Sequence, residues 1–212
     1  MMANTISDAH GHTWTYQDDL RWKSQNTPGG WEYMVYTAED VLARMDEYDI
    51  DRTTLVATPI HGRGSPYVRR CLEAYPDTFY GVVLLDYFAD DIDDQVREAF
   101  EYGNLLGVRL GARQEYGTLW QPPDDTADWI TSERLTPFWE AIESYEDPQV
   151  QVLLRPRQLE DLESIITAHP DVTFVLDHLA WPYKDSSTEE GPYTTLSTIS
   201  EHSNAYIKVA HT

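Results

Sequence analysis

An α/β fold of the (β/α)8 barrel type, truncated after its seventh strand, is predicted by three observations. Seven short runs rich in Val, Leu, Ile and Phe recur along the 212 residues, and each but the last is followed by a helical stripe of apolar residues. The runs are close to continuously apolar, as strands buried on both faces of a parallel sheet are. The strand–helix units are short, which favours a barrel over a sandwich. No Gly-rich phosphate loop follows the first run, which counts against the alternative of an open doubly wound sheet. A full barrel takes ~250 residues, so this length lacks room for the last helix–strand–helix. Residues 1–212 read as one domain, with no internal repeat or low-complexity tract.

The elements follow in order. Residues 5–9 form the first strand, and a polar, aromatic loop containing Pro28, Gly29 and Gly30 runs on to about Tyr36. Thr37 is placed as an N-cap with Asp40 at the capping-box position, ahead of the stripe Val41, Leu42, Met45 and Tyr48. Residues 53–57 are the second strand, and Ser65-Pro66 reads as a cap and an N1 proline opening a helix to Tyr75. Residues 79–85 are the third strand, followed by a helix marked by Ile92, Val96, Ala99 and Phe100. Residues 105–110 are the fourth strand, and a long loop covers 111–131. Thr136-Pro137 caps a helix carrying Phe138, Ile142 and Tyr145. Residues 150–154 are the fifth strand, with Leu159, Leu162, Ile165 and Ile166 striping the helix after it. Residues 172–176 are the sixth strand, 196–199 lie in a short helix, and 205–209 are the seventh strand.

Charge narrows the partners. There are 37 acidic and 15 basic residues, a formal net charge of -22, and the lysines are only Lys23, Lys184 and Lys208. Such a surface repels nucleic acid and anionic membranes, so neither is expected as a partner. Scattered acids with little lysine fit a salt-loving (halophilic) protein, because at ~1 M salt the Debye length is ~3 Å and self-repulsion is screened. No apolar run approaches the ~20 residues of a membrane span, and no signal peptide opens the chain. The one cysteine, Cys71, excludes an internal disulfide and fits a reducing compartment, so the expected location is cytoplasmic.

Two runs carry the chemistry: Asp8-Ala-His10-Gly-His12, and Phe174-Val-Leu-Asp177-His178 far downstream. Extended backbone sends His10 and His12 to one side, two residues apart. Barrel sites lie at the C-terminal ends of strands. His10 and His12 fall there on strand one, Arg109 on strand four, Arg155 on strand five and His178 on strand six, with Arg113 and His61 in loops just beyond. Neutral imidazoles suit a divalent metal such as zinc, which lowers the pKa of a bound water toward neutrality. His178 is then a candidate general acid or base. The planar forks of Arg109 and Arg113 suit an anionic substrate group, although in so acidic a chain ordinary ion pairing explains them equally well. His61 and Arg155 have positional support alone. His169 and His202 fall near helix C-termini, where the helix dipole accounts for them.

Beyond these two runs, Pro59-Ile-His61-Gly, the run from Tyr75 to Val83, Gly107-Val-Arg109-Leu, the run from His169 to Leu179, and Ala205-Tyr-Ile-Lys208-Val follow in order. From about residue 5 to the end the chain resembles the amidohydrolase-related (amidohydrolase-2) family, nearest the lactonases related to 2-pyrone-4,6-dicarboxylate lactonase and sugar-lactone hydrolases. The resemblance implies a distorted TIM barrel whose strand-one histidine pair meets metal or substrate and whose strand-six histidine, His178, takes part in catalysis. Strand four ends without the lysine of the superfamily's two-metal sites. Strand five ends Leu154-Arg155-Pro156, without the histidine of the decarboxylase branch. The family's strand-eight aspartate would fall after Thr212, which sets activity and metal binding against the alternative of an inactive, truncated barrel. The expectation is a metal-dependent hydrolase, with zinc or no metal bound, that opens a small, anionic lactone or similar cyclic ester. The alternatives are non-oxidative decarboxylation of an aromatic acid, and a catalytically inactive fragment or homo-oligomer partner.

Overall fold

The computed structural model describes residues 5–15, 35–58, 65–111, 129–154, 156–180 and 193–209. These form two compact units, one from Met1–Leu85 with Glu98–Gly107 and the other from Asp86–Arg97 with Val108–Thr212. Helix α3 (Ile92–Phe100) and strand β4 (Leu105–Gly111) each begin in one unit and end in the other.

In the first unit β1 (Ser7–Gly11), β2 (Arg52–Val56) and β3 (Phe79–Val83) pair in parallel and in chain order. The β2–β3 register runs without a break from Thr53 opposite Phe79 to Val56 opposite Val82. The β1–β2 register slips between Asp8 and Gly11, so β1 has one residue more than its partner there. Leu55, Val56, Phe79, Val82 and Val83 are fully buried, which accounts for their near-continuous apolar runs.

Helix α1 (Ala38–Glu47) starts at the expected capping box. Thr37 Oγ1 accepts from the Asp40 amide, and the Thr37 amide donates to Asp40 Oδ2 at 2.8 Å. Val41 and Met45 are buried, whereas Tyr48 sits at the C-cap and is exposed, so the apolar stripe ends a turn early. Helix α2 (Pro66–Ala74) has its proline at N1 and buries Val68, Cys71 and Leu72. Ser65 does not cap it. It lies in the left-handed region (φ 50°), and its Oγ accepts from the Leu84 amide at 3.1 Å, tying the helix start to the chain beyond β3.

In the second unit β5 (Gln149–Leu153), β6 (Thr173–Leu176) and β7 (Ala205–Ile207) are again parallel and sequential. Helices α4 (Thr136–Glu143), α5 (Leu159–Ala168) and α6 (Thr194–Ile199) belong to this unit. Phe138 and Ile142 of α4 and Leu159, Leu162 and Ile166 of α5 are buried as expected, and the Tyr87 ring meets Phe138 edge-on at 5.3 Å. Thr136 is not a cap: a 3-10 turn over Glu133–Leu135 runs into α4, and Ser132 supplies the side-chain cap. Among the described residues no helix is long and apolar enough to cross a membrane.

Candidate metal-binding and catalytic residues

The first unit holds the histidine pair at the end of β1. His10 Nε2 and His12 Nε2 lie 3.2 Å apart, with ring planes at 88°. Three local features fix this arrangement. Asp8 Oδ1 accepts from the His10 amide at 3.0 Å, beside the register slip, so the carboxylate shapes the backbone that carries the first ring. His12 Nδ1 lies 2.7 Å from the carbonyl of Val56, at the end of β2. A carbonyl only accepts, so Nδ1 carries the proton, and in the neutral ring Nε2 holds the lone pair. Gly11 lets β1 lie close on β2, because a Cβ there would sit 2.7 Å from Thr53 Cγ2.

The donor set fits a metal. At zinc–nitrogen distances of ~2.0–2.1 Å and tetrahedral angles, two imidazole nitrogens stand about 3.3 Å apart. The observed 3.2 Å matches that chelating separation. The bond from His12 Nδ1–H to a backbone carbonyl is the outer support that metal-ligating histidines usually have.

The second unit holds a buried charge cluster beside His178. Arg109, near the end of β4, directs both Nε (3.0 Å) and Nη2 (2.9 Å) to Asp177 Oδ2. Both side chains are buried, and Asp177 is completely so. Lys208, just past β7, places Nζ 3.8 Å from Asp177 Oδ1 and 3.1 Å from Gln151 Oε1, and its amide donates to the Leu176 carbonyl at 2.8 Å. Straight after Asp177 the chain makes a left-handed turn at His178, Leu179 and Ala180 (φ 52°, 53° and 59°). His178 is half-buried within it.

The structure thus brings His10 and His12 together and places Arg109 on a carboxylate. His61, Arg113 and Arg155 lie outside the described residues. Sequence reasoning does not single out Asp177, Gln151 or Lys208. The signals that point to two of them are an acid closing the apolar run Phe174-Val-Leu and one of three lysines closing the seventh strand. His169 and His202 face carboxylates as well as helix ends: Nδ1 of His169 is 2.7 Å from Glu143 and Nε2 of His202 is 3.3 Å from Glu163. The His169 ring also stacks on Trp139 at 4.4 Å.

Parallel strands alternating with helices fit a barrel, whose functional sites lie at the C-terminal ends of its strands, and the histidine pair closes the first of these. The chain belongs to the amidohydrolase family, whose signature matches residues 7–212. No curated protein matches significantly. Among solved structures, it is similar to a probable 2-pyrone-4,6-dicarboxylic acid hydrolase from Acinetobacter baumannii with citric acid bound, at 20% identity and TM-score 0.74, covering 98% of this chain and 70% of that one. A second is an amidohydrolase from Burkholderia multivorans with bound zinc, at 17% identity and TM-score 0.75, covering 98% and 70%. A third is a TIM-barrel protein from Bordetella bronchiseptica, at 17% identity and TM-score 0.63, covering 96% and 74%. The fold class is α/β of the (β/α)8 barrel type, with seven strands among the described residues.

Proposed function

We propose that this amidohydrolase opens a small lactone or similar cyclic ester by attack of water on its carbonyl carbon. The pair of Nε2 atoms 3.2 Å apart on His10 and His12 is the observation that carries the reading, because that spacing suits one divalent ion shared by both rings. Held there, zinc supplies Lewis-acid activation of water and of the carbonyl oxygen. His178 is assigned the proton, taken from the attacking water and given to the ring oxygen as the carbon–oxygen bond breaks. The product is a hydroxy acid, which releases one proton to solvent at neutral pH.

An anionic substrate is favoured by the charge cluster. Arg109 and Lys208 both bring cations to Asp177, within a chain whose formal charge is -22. Arg109 contributes to that positive field while holding Asp177, and Arg113, His61 and Arg155 are assigned to direct contact with the anionic group. The acid-rich composition further assigns the protein to concentrated salt.

The test is a panel of lactones followed by pH indicator in molar KCl, with zinc content measured on the same samples. Zinc-loaded protein is expected to release acid, with loss of both zinc and turnover in His10→Ala and His12→Ala. Zinc-independent turnover, or no acid from any lactone alongside consumption of an aromatic acid, overturns the proposal.

A further inference from the structure

We propose that Asp177 is a positioning residue: clamped by Arg109 and Lys208, it holds the left-handed turn that orients the His178 imidazole. The inference rests on the assignment of His178 to proton transfer and deepens it. Three consecutive non-glycine residues with positive φ are unusual, because the Cβ of an L residue crowds the following carbonyl in that region. Such a conformation persists only where its surroundings over-determine it. Glycine, Asn or Asp would relieve it, yet the sequence here is His178-Leu179-Ala180.

Both ends of the turn are pinned. At its start Asp177 is completely buried, with two guanidinium N–H groups converging on Oδ2 and the Lys208 ammonium 3.8 Å from Oδ1. Lys208 is itself fixed by Gln151 and by the hydrogen bond its backbone N–H donates to the carbonyl of Leu176, the last residue of β6. At the other end Ala180 is fully buried. Between these anchors His178 is half-buried, and its Cα–Cβ direction follows from the left-handed backbone. A plain structural ion pair would need no strained turn beside it. A buried carboxylate that begins such a turn, one residue before a candidate catalytic histidine, transmits its own fixed position to that side chain.

The experiment reads the His178 imidazole directly. In the wild type its 13Cε1–1H signal, assigned through its loss in His178→Gln, is expected as one sharp line. Asp177→Asn should broaden or split that line while the lines of His169 and His202 stay in place. Leu179→Gly keeps the ion pair and relaxes the turn, so it covers the case in which Asp177→Asn does not fold. It should disturb the His178 line in the same way, with an unfolding midpoint equal to or above wild type. With dihydrocoumarin as the probe lactone, both variants should lower kcat tenfold or more and leave KM within twofold. Arg109→Lys, which keeps a cation on Asp177, should lose less than Asp177→Asn. An unaltered His178 line in the folded variants overturns the proposal. Where the wild type does not turn over this neutral lactone, the lactone panel decides the hydrolase reading and the His178 line decides the positioning role by itself.

Discussion

Gly11 separates the two histidines, and the structure makes the consequence of filling it calculable. A Cβ at position 11 would stand 2.7 Å from Thr53 Cγ2, well inside the ~3.5–4.0 Å of ordinary carbon–carbon contact. Thr53 is only 1% exposed, so its methyl group has no solvent to swing into. Either β1 lifts from β2 or the Thr53 rotamer is forced off its minimum, and overpacking of this kind costs ~1–3 kcal/mol. For a chain of this size that corresponds to a fall in Tm of about 2–12 °C. The assay is thermal unfolding of Gly11→Ala in molar KCl, followed by circular dichroism. Thr53→Ser removes Cγ2 alone, so the loss on adding Gly11→Ala should shrink in that background, with a coupling of ~0.5–3 kcal/mol in the double-mutant cycle. Zinc affinity should follow the same pattern, since the strand that lifts carries both rings. A Gly11→Ala loss that is the same with and without Thr53→Ser would refute the close approach of β1 to β2 as the reason for glycine.

Arg109→Met should destabilise by ~3–5 kcal/mol, toward the lower end because Lys208 remains 3.8 Å from the stranded carboxylate; a change within ~1 kcal/mol in denaturant melts would contradict a buried, charged Asp177. Glu39 is held below the usual carboxylate range by its own backbone amide, then Thr37, then the Tyr75 hydroxyl, which donates to Oε1 at 3.1 Å. A depressed folded-state value stabilises above the ordinary carboxylate pKa and is lost as pH falls through the folded one, so Tyr75→Phe should raise the Glu39 midpoint in a carbon-detected NMR titration and weaken that acid-side dependence. Lowering KCl from molar to ~0.1 M lengthens the Debye length from ~3 Å to ~10 Å, so the Tm should fall steadily; a flat profile removes the halophilic assignment.

The site was partly legible in the sequence, and the limits are physical. Strand periodicity places His10 and His12 on one side from residue order alone, and the capping box at Thr37 and the N1 proline at Pro66 are equally local signals. The clamp on Asp177 was not legible, because Arg109 lies 68 residues away and arginine pairs with any of 37 acids as far as composition tells. The turn at His178 is silent for the opposite reason: His-Leu-Ala has no residue that announces positive φ, so tertiary contacts alone impose it. Ser65 misleads in the same way. Its type and place suit a helix cap, but burial and the Leu84 amide claim its hydroxyl. The start of α4 differs because a 3-10 turn capped by Ser132 reaches Leu135 before Thr136 is needed.

X-ray absorption at the zinc edge, on stoichiometrically loaded protein, puts the chelating pair to the most direct test. Two imidazole nitrogens at ~2.0–2.1 Å are predicted for the wild type, falling to one in His12→Ala and none in the His10→Ala/His12→Ala double variant. A spectrum without imidazole scattering, or one the double substitution leaves untouched, would mean that zinc binds elsewhere and that the 3.2 Å pairing serves only to pack β1.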